Sequence, residues 1–173
     1  GGQEKRLRSG TENLPGIVGM GLAAEITKKT MADFIPQYKQ LRDHFMSRVL
    51  NEVPFSRLNG HPIERLPHNA NLSFDYIEGE ALLLHLDLQG IACSAGSACS
   101  SSSLEPSHVL KAMNLDPKWA HSALRFTLGL GNDLAQMDYA VDVIKDKVAL
   151  LRKASPFYNE NHFQGKKSAH GGK

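Results

Sequence analysis

The sequence predicts an α+β fold in which helices pack on a short, mainly antiparallel sheet. Three observations carry that prediction. Helix-like and strand-like segments alternate, but the strands are short and do not form one long βαβ series. Leu134, Met137, Val141, Ile144, Val148 and Leu151 fall at alternating spacings of three and four, as on an amphipathic helix. Asn71-Leu72-Ser73-Phe74-Asp75-Tyr76 alternates polar with apolar, as in a strand with one buried face. With 173 residues, 41% of them hydrophobic and 22% charged, the chain can build one domain with a core.

The elements follow in order. Thr11 or Asn13 can cap a helix over Leu14–Ala32, with Pro15 in its first turn. Gly16, Gly19 and Gly21 each weaken that helix by roughly 1 kcal/mol, so their recurrence predicts close packing against another backbone. A second helix is predicted over Phe34–Asn51, with Tyr38, Leu41, Phe45 and Val49 on one stripe and Pro36 confined to its first turn. Phe55–Leu58 before Asn59-Gly60 reads as a strand and turn. After the Asn71–Tyr76 strand, Glu78–Asp87 reads as a helix with Ala81, Leu82, Leu84 and Leu88 inward. Gly90–Cys93 reads as a brief strand. Pro106–Met113 reads as a helix, Ala123–Leu128 as a strand, and Leu134–Lys153 as the last helix. The polar tail from Ala154 is expected to be mobile.

Composition narrows the function. A net charge of +2, with no basic stripe among aromatics, argues against nucleic acid. No apolar run is long enough to span a bilayer, and no signal peptide is evident. Cys93 and Cys99, the two cysteines, do not make a disulfide framework or a zinc site. The reading is a cytoplasmic protein with no metal and no membrane partner. His61, His68, His85, His108 and His121 show no ligand spacing and read as ordinary polar positions; Trp119 reads as packing. The chain opens on Gly-Gly-Gln without Met, which reads as a cut inside a larger protein.

Ser94-Ala95-Gly96-Ser97-Ala98-Cys99-Ser100-Ser101-Ser102-Ser103 holds the most informative thiol. A free cysteine is usually a small buried hydrophobe. Cys99 sits instead among small polar residues, on a loop suited to move and react; a flexible linker that happens to contain a cysteine has the same composition. Arg125 lies between apolar residues of a strand, where a buried charge needs a partner. Either a structural salt bridge or a ligand carboxylate held in a two-pronged fork satisfies it. Thr11, after Ser9-Gly10 and before a helix, suits either a cap or an anion contact.

Arg8 to Asn13 (Arg-Ser-Gly-Thr-Glu-Asn), Asn71 to Phe74, Ala95 to Ser101 (Ala-Gly-Ser-Ala-Cys-Ser-Ser), Leu104 to Ser107 and Leu124 to Gly129 occur in this order. Together they resemble the C-terminal half of pyridoxal-phosphate-dependent cysteine desulfurases of the NifS/IscS kind, in the class V aminotransferase family. The resemblance runs from Gly1 to about Pro156. It implies the end of the large domain of a fold-type-I enzyme and its connecting helix in residues 1–32. It implies the small C-terminal domain, with the cysteine loop, in 33–153, and a polar tail in 154–173. The implied activity takes sulfur from L-cysteine, leaving L-alanine and a persulfide on Cys99 for an iron–sulfur scaffold or other sulfur-acceptor protein.

The resemblance further implies that Arg125 binds the substrate carboxylate and that Thr11 touches the cofactor phosphate across a homodimer. Arg8 and Asn13 share the motif without an assigned contact. The family's cofactor lysine lies in a Ser-x-His-Lys segment upstream of Gly-Gly-Gln. Lys28 and Lys29 do not match it, so the chain by itself is expected to be inactive. Cys93 reads as a buried small residue or as a resolving thiol for Cys99. The alternative function is a cofactor-free persulfide relay or interaction module, which needs neither a carboxylate clamp nor a phosphate anchor.

Overall fold

The structure is a computed structural model and describes residues 1–96 and 107–158. The cysteine loop around Cys99, the start of the helix predicted at Pro106 and most of the predicted tail lie outside the described residues. The chain divides into two compact units, Gly1–Gln37 and Tyr38–Lys173.

The first unit is a short 3-10 turn, Gln3–Arg6, and the first part of helix α1, Leu14–Glu52. The side-chain oxygen of Asn13 accepts from the Gly16 N–H at 3.1 Å, so Asn13 supplies the cap. Residues 1–33 are all exposed, including Leu14, Ile17, Val18, Met20, Leu22, Ile26 and Met31. The close packing predicted from the glycines is not present within this unit. A Cβ at Gly19 or Gly21 would meet nothing within 4 Å, and one at Gly16 would meet only the Asn13 side chain.

The two helices expected on either side of Asp33 are one. Pro36 lies inside α1, beyond any first turn. Its fixed φ suits a helix and it removes a single backbone hydrogen bond, which a helix of 39 residues absorbs.

The second unit holds a four-stranded sheet in the order β1-β2-β4-β3, with β1 Ser56–Leu58, β2 Asn69–Phe74, β3 Ser94–Ala95 and β4 Ala123–Thr127. Every pairing is antiparallel. The alternation read along β2 decides its faces. Ala70, Leu72 and Phe74, with Leu124 and Phe126 of β4, enter the main core. There they meet Phe45, Met46 and Val49 of α1 and Val141, Ile144 and Val148 of α5, Leu134–Ala154. Burying each large apolar side chain there contributes roughly 1.5–3 kcal/mol. The stripe foreseen on the second half of α1 is present, with Arg42 added to it.

Helix α2, Gly79–Asp87, buries only part of the face predicted: Leu82 is buried and Ala81 half-buried as expected, Leu86 is buried in addition, and Leu84 and Leu88 are exposed. The segment is leucine-rich on several faces, so its own pattern leaves the rotation about its axis undetermined. Gly79 fixes that rotation. A Cβ there would sit 2.9 Å from the His121 carbonyl oxygen and 3.3 Å from that of Ala123. Gly79→Ala is therefore expected to destabilise the fold by about 1–3 kcal/mol, read as a lowered midpoint in urea at unchanged slope.

Residues 90–93, predicted as a strand, are a turn and an irregular stretch, and the pairing falls on Ser94–Ala95 instead. The other face of the sheet is partly covered by two five-residue helices, α3 His108–Ala112 and α4 Pro117–His121. They form a small core of Leu110, Ala120 and Ala123. Ser107 caps α3, and Asp116 caps α4 ahead of Pro117, an element the sequence reading did not include. Trp119 is half-buried, with Arg57 and Lys118 over its ring at 5.4 and 5.3 Å.

The end of α5 carries a buried arginine. Arg152 donates through Nε to the Asp75 carbonyl at 3.0 Å and through Nη2 to the Phe55 carbonyl at 3.3 Å. Phe55 (φ 55°) and Tyr76 (φ 68°) adopt left-handed backbone that bulky residues disfavour, so Arg152 ties two strained turns to the helix. Arg48 joins α1 to α5 differently, reaching Glu52, Asp138 and Asp142 at 2.6–2.9 Å. The guanidinium holds the Glu52 carboxyl below its usual range.

Candidate active site

The open part of the sheet's second face gathers the polar phase of the strands. Antiparallel register places Asn69 opposite Thr127, Asn71 opposite Arg125, and Ser94 opposite Arg125 on its other side. Directly opposed side chains share a face, with Cβ atoms roughly 4.5–5.5 Å apart. Arg125 is exposed here, not buried among its apolar sequence neighbours, because those neighbours point into the main core. That corrects the expectation of a buried charge in need of a partner. Its Nη2 donates to the Ser94 hydroxyl at 3.3 Å, and among the described residues it makes no ion pair.

The row continues beyond β2. Asn59, buried just past the end of β1, donates from Nδ2 to the Asn71 Oδ1 at 2.7 Å and to the Ser73 hydroxyl at 2.7 Å. Ser73 in turn donates to the Trp119 carbonyl at 2.7 Å. Asn59, Asn71, Arg125 and Ser94 thus form a line across all four strands. Of these four only Arg125 is given a binding role by the sequence. Asn71 opens one of the motifs that carry the family resemblance, Ser94 opens the cysteine loop and Asn59 marks a turn, but none of the three is thereby assigned a contact.

Thr11 lies in the first unit, exposed, in the turn entering α1. Asn13 takes the cap, so the alternative role open to Thr11 falls away. Arg8 bonds the carbonyls of Gly10 and Thr11 at 2.8 and 3.0 Å, which shapes the turn. Among the described residues the Thr11 hydroxyl has no hydrogen-bond partner. Lys29 pairs with Glu25 at 2.6 Å along α1.

Cys99 lies outside the described residues. Cys93 is half-buried and packs against the main core, and burial, then the Asp87 charge, pushes its thiol up to about 11. Such a thiol is predominantly protonated at neutral pH and is a poor nucleophile. The histidines do not converge: His44 pairs with Asp138 at 2.6 Å, and the His61 Nδ1 accepts from the N–H groups of Ile63 and Glu64. Among the described residues no three potential metal ligands cluster, and no helix is long and apolar enough to cross a membrane.

The fold and its open polar face can be compared with known proteins. Residues 1–139 match the aminotransferase class-V family, and the chain belongs to it. Within that family its likeness is to cysteine desulfurases, as the motifs implied. It is 48% identical over 160 residues to the cysteine desulfurase IscS of Dictyoglomus turgidum, covering 92% of this chain and 41% of that protein. It is 49% identical over 158 residues to the cysteine desulfurase IscS 1 of Archaeoglobus fulgidus, covering 91% and 41%. A solved NifS-like protein superposes with a TM-score of 0.73 at 32% identity, over 87% of this chain and 38% of that one. The chain spans about two fifths of the length of the curated relatives it matches.

Proposed function

We propose that this chain is the C-terminal part of a pyridoxal-phosphate-dependent cysteine desulfurase. The observation that carries the proposal is the exposed Arg125, without an ion pair among the described residues, bonded to Ser94 at the root of the segment that bears Cys99. A planar guanidinium left unpaired on an open polar face is suited to a carboxylate bound in two places. From Ser94, an extended chain reaches Cys99 within roughly 17 Å, so the proposed nucleophile is tethered close to the proposed clamp.

In this reading L-cysteine binds by its carboxylate to Arg125. Pyridoxal phosphate, when bound, supplies the electron sink that labilises the carbon–sulfur bond. The Cys99 thiolate attacks the substrate sulfur; a sulfur–sulfur bond forms as the carbon–sulfur bond breaks. The carbon retains the electron pair and takes a proton, giving L-alanine and a persulfide on Cys99. Thr11, whose hydroxyl has no partner among the described residues, fits a contact to the cofactor phosphate, made across a homodimer.

The domain reading follows: 1–32 closes the large domain, 33–153 is the small domain, and 154–173 is a polar tail. The sulfur passes to an acceptor protein such as an iron–sulfur scaffold, in the cytoplasm. A cofactor-free persulfide relay would leave Arg125 without an occupant, so the desulfurase reading is preferred.

The full-length protein, loaded with pyridoxal phosphate, is expected to release one L-alanine from L-cysteine for each sulfur delivered to an added thiol. Sulfur delivery without alanine would leave the relay as the function.

A further inference from the structure

The hydrogen-bond chain behind Arg125 fixes the direction of one amide, and with it a further ligand for the substrate. The Trp119 carbonyl lies 2.7 Å from the Ser73 hydroxyl oxygen and carries no hydrogen, so the Ser73 proton is the one between them. With that proton used, the Asn59 atom 2.7 Å from Ser73 must be a donor, the Nδ2. The same Nδ2 lies 2.7 Å from the Asn71 amide, which must present its acceptor there, the Oδ1. The cost of this order is the Asn59 Oδ1, which is buried without a partner.

The Asn71 Nδ2 is therefore turned away from β1. Among the described residues it donates to nothing, and its register partner on the far side is Arg125. Asn71 is half-buried, Arg125 exposed and Ser94 half-buried. The result is a surface that offers the guanidinium's N–H groups, two amide N–H groups and the Ser94 hydroxyl. Among the described residues the one acceptor facing the guanidinium, the Ser94 oxygen, is already engaged by it. Donors left side by side without an acceptor call for a group with more than one anionic oxygen.

We propose that Asn71 is a second ligand for the substrate carboxylate, donating from Nδ2 to one oxygen while Arg125 holds the other. The assignment rests on the reading of Arg125 as the carboxylate clamp. Asn59 and Ser73 act through Asn71 as positioning residues, since they set which end of the amide faces the ligand.

The test is steady-state kinetics of the full-length holoenzyme with L-cysteine, together with titration of the bound cofactor's absorbance by L-alanine. Asn71→Ala is the decisive variant, because it removes the donor without adding charge. Asn71→Asp keeps an acceptor for Asn59 but also sets a negative charge opposite Arg125, which can occupy the guanidinium itself. Asn71→Ala removes both groups. Each variant is expected to raise KM for L-cysteine and weaken the L-alanine titration by about tenfold or more, with kcat at saturation changed by less than about threefold.

Arg125→Ala is run alongside. If it raises KM and Asn71→Ala, shown to be folded by its thermal unfolding, leaves KM and the titration at wild-type values, the Asn71 assignment is overturned and the clamp stands, whatever Asn71→Asp does. A fall in kcat alone in Asn71→Ala also overturns it, since that is the mark of a disturbed site and not of a lost carboxylate contact. If Arg125→Ala too leaves both readouts unchanged, the clamp itself is wrong, and the Asn71 assignment falls with it.

Discussion

Cys99→Ser in the full-length enzyme is expected to abolish protein-bound persulfide while the cofactor stays bound. The chemistry demands attack on sulfur by a polarisable anion. A thiolate is such a group at neutral pH when its surroundings favour ionisation, and a serine hydroxyl is not. Loss of a nucleophile lowers turnover on the order of a thousandfold or more. The remaining thiol offers no substitute. With Cys93 pushed up to about 11 by burial and by Asp87, roughly one molecule in a thousand carries its thiolate at pH 8, and its side chain packs against the core. Persulfide is read by labelling, and cofactor by absorbance. Retained turnover in Cys99→Ser, lost on Cys93→Ala, would transfer the role to Cys93.

The second large effect is expected at Arg125. Arg125→Lys exchanges a planar fork for a single point charge, so the carboxylate keeps its attraction and loses a directed bond. That corresponds to about 1–3 kcal/mol, or roughly ten- to a hundredfold in kcat/KM. Arg125→Ala removes the charge as well and should cost more. Stability is the control. The side chain is exposed and without an ion pair among the described residues, so neither change should shift the unfolding free energy by more than about 0.5 kcal/mol. Unchanged kcat/KM would assign Arg125 no part in substrate binding; a large loss of stability would assign it a structural one.

What could be read from the chain depended on how far each element is governed by its own residues. α5 has faces of unequal polarity along its whole length, so its period alone located it; in β2 the alternation gave the right faces, but the strand runs over Asn69–Phe74 and not Asn71–Tyr76, because the chain turns at Asp75-Tyr76. α4 has five residues, too few for a period, and only Asp116-Pro117 marks its start. β3 is two residues long and exists because β4 is there to pair with it; nothing in Gly90–Ala95 distinguishes Ser94 from its neighbours. α2 was placed correctly but its buried face only in part, because leucines at 82, 83, 84, 86 and 88 leave no polar face to orient it, and a glycine pressed against the His121 carbonyl does so instead.

The site divides in the same way. Arg125 was legible because its motif is local, although its exposure was not: the sequence shows apolar neighbours and not that strand geometry sends them to the opposite face. The donor end of Asn71 could not be read at all. It depends on a carbonyl at Trp119, brought to Ser73 by the packing of α4 on the sheet.

The order of the strands has a consequence for how this chain keeps company in a concentrated solution. Its sheet ends on one side in three residues and on the other in two. Edges so short offer a stray strand only a few rungs before the ladder gives out, which is a poor seed for fibre growth. A run of the apolar residues on display lies along one helix, from Leu14 to Met31, and helices meet by fitting ridges into grooves side by side rather than by adding strands to a ribbon. Chains of this kind held close together therefore find little purchase for joining sheet to sheet through their edges.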